Sequence, residues 1–363
     1  MSEPQQGPTA REVFAFALVL VIAAAARFVG LPGRGTWDAD QGHDMLMLYR
    51  FVTDGVVPLL GPPTSIGTFH HGALYYWLLA PAAAISASDP TVVVALFAGA
   101  GVATVAVIWW LARSIGGPIA GGTAALLAAV SPAAIDESTF IWNPNLIPLF
   151  AAVALGAVWR AWTTGRIRWW LVASTGAMVT AQLHVLGVVF VAPIAALMVV
   201  QFLRLDGAAR RAALPIAGGA LAIVVAGYLP LAVHEFQSGG TELRAIADYL
   251  AGDRTAGSEP VTARLGIIAL RVVSWPFVGV ITEAPMAGSV IALSLVAAVL
   301  WLAVSSRGPG RRGVVWLSLS LVWCVVMLAL AAPSLARLVP GLPKDHYQGF
   351  ADAIGLVLAG LGG

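Results

Sequence analysis

The 363-residue chain is 59% hydrophobic and only 10% charged, with a mean hydropathy of +0.86. Soluble globular domains carry about 25% charged residues, so this composition excludes an ordinary soluble protein. The formal net charge of +2 does not indicate a basic surface that would bind nucleic acid, and we expect no nucleic-acid partner. Cys324 is the single cysteine, which excludes a disulfide framework within the chain.

Apolar runs of about 20 residues recur along the chain, each long enough to cross the hydrocarbon core as a helix. The sequence predicts an all-α, polytopic integral membrane protein of about 10–11 transmembrane helices, with residues 1–363 in one transmembrane domain. The predicted spans are 12–30, 91–112, 118–135, 145–162, 169–183, 186–203, 213–232, 286–306, 314–333 and one beginning near 350. The chain ends about 14 residues into the last span, which predicts a shortened C-terminus.

The distribution of arginines between alternate loops predicts the orientation, because short cytoplasmic loops carry the excess of basic residues. One set of loops holds ten arginines and a single acid, Asp206, whereas the other set holds most of the acids. The ten are Arg113, Arg160, Arg166, Arg168, Arg204, Arg210, Arg211, Arg307, Arg311 and Arg312. We therefore predict a multi-pass protein of the bacterial plasma (inner) membrane with a cytoplasmic N-terminus and extracytoplasmic acidic loops.

The same orientation decides three ambiguous segments. Residues 169–203 have arginines at both ends and must cross twice, with a turn near His184. The apolar stretch 72–85 is too short to cross, so we predict an interfacial helix. A single crossing by 261–282 would move the later arginine-rich loop outside, so an interfacial position is predicted there too. The outer surface then comprises a first loop at 31–90, a second loop near 136–143 and a region at 234–285.

The first loop carries the most distinctive motifs, Trp37-Asp-Ala-Asp-Gln-Gly-His-Asp44 and Phe69-His-His-Gly-Ala-Leu-Tyr-Tyr-Trp-Leu-Leu-Ala-Pro81. Further motifs are Phe140-Ile-Trp-Asn-Pro-Asn-Leu146, Gln182-Leu-His184 and Asp345-His-Tyr347. In order and spacing, these motifs resemble the bacterial protein-mannosyltransferase-like, family 39 type of GT-C glycosyltransferase. That resemblance covers nearly the whole chain.

The resemblance implies a hexosyl- or pentosyltransferase that moves a sugar from a polyprenyl-phosphate donor to an extracytoplasmic glycan, lipid or protein, in contact with membrane lipids. It also implies that an Asp of the first loop is the general base, and the matching residue is Asp40. This chain has Asp40-Gln41 where relatives often have Asp-Glu. Asp38 or Asp44 would then supply any second carboxylate.

The other candidate site residues are polar groups of the outer loops and arginines in apolar segments. An arginine there is costly unless it reaches the interface or meets an anion such as a lipid phosphate. We expect substrate-binding residues among His70, His71, Asp136, Glu137, Asn143, His184, Arg27, Arg271, Arg337, His346 and Tyr347.

Four residues are given structural interpretations. Asn143 is expected to cap a helix that starts at Pro144. Tyr75 and Tyr76 are interpreted as aromatic residues of the membrane interface. Glu242 is expected on a solvated amphipathic helix.

Two alternatives remain open at this stage. A transporter or flippase for a lipid-linked sugar would place ionisable groups near the bilayer midplane, and the acids of this chain lie in outer loops instead. An inactive accessory subunit is the second alternative. The sequence has no zinc-ligand spacing, P-loop or dinucleotide motif, so no metal site or cofactor is assigned, and a divalent cation is left open.

Overall fold

Helices make up most of the chain that the computed structural model describes, which is residues 7–65, 67–252, 259–279, 283–305, 308–332, 335 and 346–362. The first eight are α1 (Ala10–Phe28), α2 (Ala39–Asp54), α3 (Leu74–Ile85), α4 (Pro90–Val130), α5 (Pro132–Asp136), α6 (Ile147–Thr164), α7 (Trp169–Leu183) and α8 (Val188–Leu203). The next seven are α9 (Gly207–Gly227), α10 (Leu229–Ser238), α11 (Thr241–Ala251), α12 (Val261–Val278), α13 (Pro285–Ser305), α14 (Gly308–Ala331) and α15 (Phe350–Gly362).

Seven helices of the described chain are long and apolar enough to cross a membrane. They are Pro90–Val130, Asn143–Thr164, Val185–Leu203, Gly207–Gly227, Val261–Val278, Pro285–Ser305 and Gly310–Ala331. The first has 41 residues, about twice the length of one span. Gly117 interrupts it with a φ of 87°, a conformation that favours glycine, and Pro118 follows. This break lies between the two predicted spans, and the prediction of an all-α, multi-pass membrane protein is confirmed.

Two of the ambiguous segments can be compared with the structure directly. The predicted turn near His184 is present, because α7 ends at Leu183 and α8 begins at Val188. The helix α12 packs against α13, α14 and α15 and is itself long and apolar enough to cross. Its interfacial position therefore stays a prediction.

The core of the bundle forms around α4, which packs against α1, α6 and α15. Small residues allow α15 to approach closely, since a Cβ added at Gly360 would lie 2.5 Å from the Cβ of Ala124 on α4. Membrane helices associate through such close packing because lipid offers them no hydrophobic driving force. The short apolar helix α15 is thus buried along nearly its whole length.

The first loop folds into α2, a two-stranded antiparallel sheet and α3. The strands β1 (Leu60–Pro63) and β2 (His70–Gly72) pair directly, and α3 follows the second strand. Successive side chains of a strand point to opposite faces, so the adjacent residues His70 and His71 are directed differently. We call the end of the bundle that carries this loop and the second loop the acidic end.

Arg27 caps the C-terminal end of α4, next to the acidic loops. Its guanidinium donates to the main-chain oxygens of Ala128 and Ala129 at 3.1 and 3.0 Å, and its Nε donates to Oγ of Ser138 at 3.2 Å. The last carbonyl groups of a helix have no partner inside it, and a cation there also opposes the negative end of the helix dipole. Arg27 is 1% exposed. The expected lipid-phosphate contact of Arg27 is therefore wrong, because its donors are used within the protein.

Replacing Arg27 with leucine is expected to lower thermal stability in detergent markedly. Each buried carbonyl left without a donor costs about 1–3 kcal/mol. Arg27→Lys keeps the charge but loses the planar fork, so an intermediate melting temperature is expected. The exposed Arg50→Leu variant is the control. Equal melting temperatures for Arg27→Leu and Arg50→Leu would contradict this role.

Candidate active site at the acidic end

The start of α2 is fixed by a reciprocal cap. The side chain of Asp38 accepts a hydrogen bond from the main-chain N–H of Asp40 at 3.0 Å, and Oε1 of Gln41 accepts one from the N–H of Asp38 at 2.9 Å. Nε2 of Gln41 then donates to the carbonyl oxygen of Ile141 in the second loop at 2.9 Å. Asp38, predicted as a possible second carboxylate, is thus engaged in capping the helix.

Asp44 lies in the second turn of α2 and is only 3% exposed. The hydroxyl groups of Tyr75 and Tyr76 donate to its two carboxylate oxygens at 2.7 and 2.8 Å. Burial raises the pKa of Asp44, and the tyrosine hydrogen bonds oppose that rise. Both tyrosines are completely buried, so their interpretation as interface aromatics is wrong.

A polar cavity of about 210 Å³ opens beside α2. Its lining includes Asp38, Asp40, Asp44, His71, Asn143, His184 and Tyr347, which come from the first loop, the second loop, the turn between α7 and α8, and the segment before α15. Asp40 lies in the first turn of α2 and is exposed. The structure therefore brings together seven of the residues that the sequence singled out.

Two neutral histidines form one wall of the cavity. Nδ1 of His71 accepts from the N–H of Val185 at 3.3 Å, and Nδ1 of His184 accepts from the N–H of Leu186 at 3.2 Å. With Nδ1 an acceptor, the proton of each neutral ring must be on Nε2. The ring centroids are 4.4 Å apart, and Tyr347 stacks on His184 at 4.7 Å. Burial lowers the pKa of His71 to about 3 and that of His184 well below its usual value.

His70 does not share this wall. Its main-chain N–H donates to Oε2 of Glu242 at 2.7 Å, and its Nδ1 lies 3.0 Å from Oε1 of the same carboxylate. Glu242 is 6% exposed, so its expected position on a solvated face is wrong. The contact attaches the first loop to α11, and it holds His70 away from the cavity wall that contains His71.

Asn143 is placed at the cavity by a tertiary contact. Its side-chain amide donates to the carbonyl oxygen of Leu183, the last residue of α7. The predicted helix cap is wrong, because the short 3-10 turn that contains Pro144 begins after Trp142 and has no side-chain cap. Asn143 instead links the second loop to the turn that carries His184.

A separate buried group outside the cavity lining contains Glu137, His346 and Asp352, which we call the Glu137 cluster. Nε2 of His346 is 2.8 Å from Oδ2 of Asp352, and Nε1 of Trp275 donates to Oε1 of Glu137 at 2.8 Å. Burial raises the pKa of Glu137 to about 7, and the neighbouring Asp352 carboxylate also raises it. Sequence reasoning missed Asp352 and Trp275, although an acid in an apolar helix is a recognised signal of a functional or paired group.

The remaining candidates lie elsewhere. Asp136 is exposed at the end of α5. Arg271 is 3% exposed, and its guanidinium donates to the carbonyl oxygen of Leu335 at 2.8 Å, so it meets a protein carbonyl group instead of the expected lipid phosphate. Arg337 lies outside the described residues.

Comparison with known proteins identifies the class of this fold. Residues 70–234, just under half of the chain, match the sequence model of the dolichyl-phosphate-mannose-protein mannosyltransferase family. By sequence, no curated protein matches the chain. Solved membrane glycosyltransferases match it over nearly its full length, so the chain has the GT-C fold that the loop motifs implied.

Two of these structures are ArnT from Cupriavidus metallidurans. ArnT bound to undecaprenyl phosphate has a TM-score of 0.61 at 11% identity, covering 98% of this chain and 60% of that one. Apo ArnT has a TM-score of 0.50 at 13% identity, with 96% and 76% covered. The apo oligosaccharyltransferase of Archaeoglobus fulgidus has a TM-score of 0.53 at 14% identity, with 96% and 50% covered. The chain thus spans about 60% of the length of the undecaprenyl phosphate-bound ArnT and half that of the oligosaccharyltransferase.

Removing the tyrosine hydroxyls is expected to loosen the first loop. Tyr75→Phe and Tyr76→Phe each remove a hydrogen bond to a buried charged group, worth about 1.5–3 kcal/mol. Chemical unfolding in detergent should therefore show a lower free energy of unfolding for both variants. Tyr49→Phe, on the exposed side of α2, is the control. Identical stability of all three variants would show that Asp44 does not depend on these bonds.

The buried histidines predict a loss of stability in acid. Because His71 has a pKa of about 3 in the folded protein and about 6.5 when unfolded, its contribution is complete above pH 6.5 and declines as the pH falls towards 3. The slope is about 1.4 kcal/mol per pH unit.

Unfolding free energies of His71→Gln and wild type, measured between pH 4 and 8, test this expectation. The variant should lose less stability on acidification. Asp44 opposes the trend through its raised pKa, and the difference between variant and wild type isolates the His71 contribution. His234→Gln is the control, and parallel pH profiles for His71→Gln and wild type would refute the prediction.

Proposed function

We propose that this chain transfers a hexosyl or pentosyl unit from a polyprenyl-phosphate donor to an extracytoplasmic acceptor, with Asp40 as the general base. The observation that carries the proposal is the arrangement of the polar cavity, in which an exposed carboxylate shares one space with two neutral imidazole donors. The GT-C fold and the family match at residues 70–234 support the same reaction class.

The three aspartates of the first loop are not equivalent as bases. Both oxygens of Asp44 accept tyrosine hydrogen bonds, and Asp38 caps α2. Asp40 is exposed to the cavity, so its carboxylate is available to remove the proton of an acceptor hydroxyl as that oxygen attacks the anomeric carbon. Asp44 then serves to position Asp40 through the helix that both residues share.

The two histidines suit the leaving phosphate. As the bond between sugar and phosphate breaks, negative charge grows on the phosphate oxygens, and fixed N–H donors stabilise such charge. His71 and His184 each have an Nε2–H for this purpose, because their Nδ1 atoms are occupied by main-chain N–H groups. Their neutral state also means that they would release the phosphate product more readily than a buried arginine.

An apolar groove supports a lipid carrier. A cavity of about 720 Å³ lies between α7, α8 and α9, and its lining includes Trp170, Met178, Ala181, Phe202 and Tyr228. Ala181 is one residue from Gln182-Leu-His184, so one end of the groove approaches the polar cavity. ArnT, which shares the fold, has been solved with undecaprenyl phosphate. A prenyl chain bound in the groove would bring its phosphate group to the two histidines. In this arrangement, the acidic end lies on the outer side of a bacterial inner membrane.

Transfer of labelled sugar from polyprenyl-phosphate donors to glycan, lipid and peptide acceptors tests the proposal. Asp40→Asn should reduce kcat by about 100-fold or more, since a general base contributes 10²–10⁴ to the rate. Asp54→Asn, an exposed acid at the far end of α2, should keep wild-type activity. Undiminished transfer by Asp40→Asn would remove Asp40 as the base. Movement of the intact lipid-linked sugar across vesicles without transfer would favour a flippase.

A further inference from the structure

The Glu137 cluster joins three parts of the chain that are distant in sequence. Glu137 follows α5, Trp275 belongs to α12, His346 lies just before α15, and Asp352 lies in the first turn of α15. One potential ligand atom from each of Glu137, His346 and Asp352 lies within 4.8 Å of the other two. The cluster does not belong to the polar cavity, whose lining includes none of these three residues.

Charge makes this arrangement costly unless a cation completes it. Two carboxylates and one imidazole occupy a buried site, and buried acids are stable only when they are paired, protonated or bound to a metal. The charges that act on Glu137 come from His346, Asp352 and Asp136, and neither Arg27 nor Arg271 is among them. Arg27 lines the cavity beside these carboxylates, but its hydrogen bonds go to main-chain oxygens of α1 and α4 and to Ser138.

Two further observations indicate a ligand. Oδ1 of Asp352 has no hydrogen-bond partner in the described part of the chain, and the residue is 6% exposed. A cavity of about 30 Å³, whose lining includes Glu137, Asp352, Asn145 and Arg27, adjoins these carboxylates. A space of about 10–15 Å³ is enough for one water, so this cavity has room for an ion or an ion with a water ligand.

The surrounding contacts hold the candidate ligands in place. Trp275 donates to Oε1 of Glu137 and stacks on the ring of His346, with centroids 4.2 Å apart and planes 5° apart. Groups that hydrogen-bond to metal ligands orient them and commonly change metal affinity 10–100-fold. Two atoms that bind the same metal ion at about 2.0–2.2 Å are at most about 4.4 Å apart. The potential ligand atoms of the cluster lie within 4.8 Å of one another, so only a small movement would let them bind one ion.

We propose that Glu137, His346 and Asp352 bind a divalent transition-metal ion, which fastens the second loop to the start of α15. One imidazole nitrogen and two carboxylates suit Mn²⁺, Fe²⁺ or Zn²⁺ better than Ca²⁺ or Mg²⁺. The ion replaces the proton between His346 and Asp352, because a metal-bound imidazole is neutral and its ligand carboxylates are ionised. The adjacent Tyr347 stacks on His184, so the ion also secures one wall of the polar cavity.

Binding of Mn²⁺ to the full-length, tag-free protein tests this proposal directly. The protein is treated with EDTA, freed of chelator and titrated with Mn²⁺, with bound ion followed by electron paramagnetic resonance. We expect one tightly bound Mn²⁺ per chain, with ¹⁴N coupling from an imidazole that disappears in His346→Gln. Failure to bind Mn²⁺ stoichiometrically, or binding without ¹⁴N coupling, would overturn the proposal.

Variants locate the bound ion. Glu137→Gln and Asp352→Asn should weaken Mn²⁺ binding by more than tenfold, while the neighbouring Asp136→Asn should bind as wild type. Trp275→Phe keeps the aromatic ring but removes the donor to Glu137, so a weakening of about tenfold or more is expected even if the acid variants misfold. Wild-type affinity in Trp275→Phe and in every folded acid variant would contradict the assignment. Because metal binding is measured rather than sugar transfer, this outcome is independent of the proposed function.

Discussion

The hydrogen bonds from Tyr75 and Tyr76 to the buried carboxyl group of Asp44 hold the two helices of the first loop together. Apolar side chains on the inner face of α2 also pack into the core, so these bonds act together with hydrophobic contacts. Asp40 lies one helical turn before Asp44, so any rotation or displacement of α2 moves it as well. A further restraint on α2 is the bond from Gln41 to Ile141, which joins the same helix to the second loop.

Burial assigns different electrostatic properties to the groups around the cavity. Asp40 keeps contact with water and with the cavity, while His71 and His184 are kept neutral because a buried imidazolium would lose its hydration without gaining a counter-ion. A single space therefore contains an exposed carboxylate and neutral donors of hydrogen bonds. In the proposed function, this division allows a base and a phosphate-binding group to work side by side without pairing with each other.

The features that follow from hydropathy and charge along the chain could be predicted from the sequence. Apolar run lengths indicated the spans, and arginines at both ends of 169–203 required the turn at His184. Contacts between distant segments could not be predicted in this way. Asn143 bonds to Leu183 rather than capping its own helix, and Glu242 is buried because it meets His70. These bonds span 40 and 172 residues, and no local pattern records them.

Arginine and aromatic residues in apolar segments were the least predictable. The sequence indicates that Arg27 is a cation in an apolar segment and requires hydrogen-bond acceptors. Either a lipid phosphate or the carbonyl groups at a helix end could accept its hydrogen bonds, and the sequence does not distinguish them. Tyr75 and Tyr76 fit an interfacial helix equally well whether they face lipid or a buried acid. Asp352 was predictable in principle, because an acid among apolar helix residues requires a partner, yet its pairing with His346 depends on tertiary structure.

The most direct test of the account is a structure of the protein in lipid nanodiscs with a non-transferable polyprenyl-phosphate sugar analogue. The account predicts the phosphate within hydrogen-bonding distance of Nε2 of His71 and His184, and the sugar between these rings and the carboxylate of Asp40. The prenyl chain should follow the groove between α7, α8 and α9. An analogue bound with its sugar away from Asp40, while the polar cavity contains only water, would contradict the central claim.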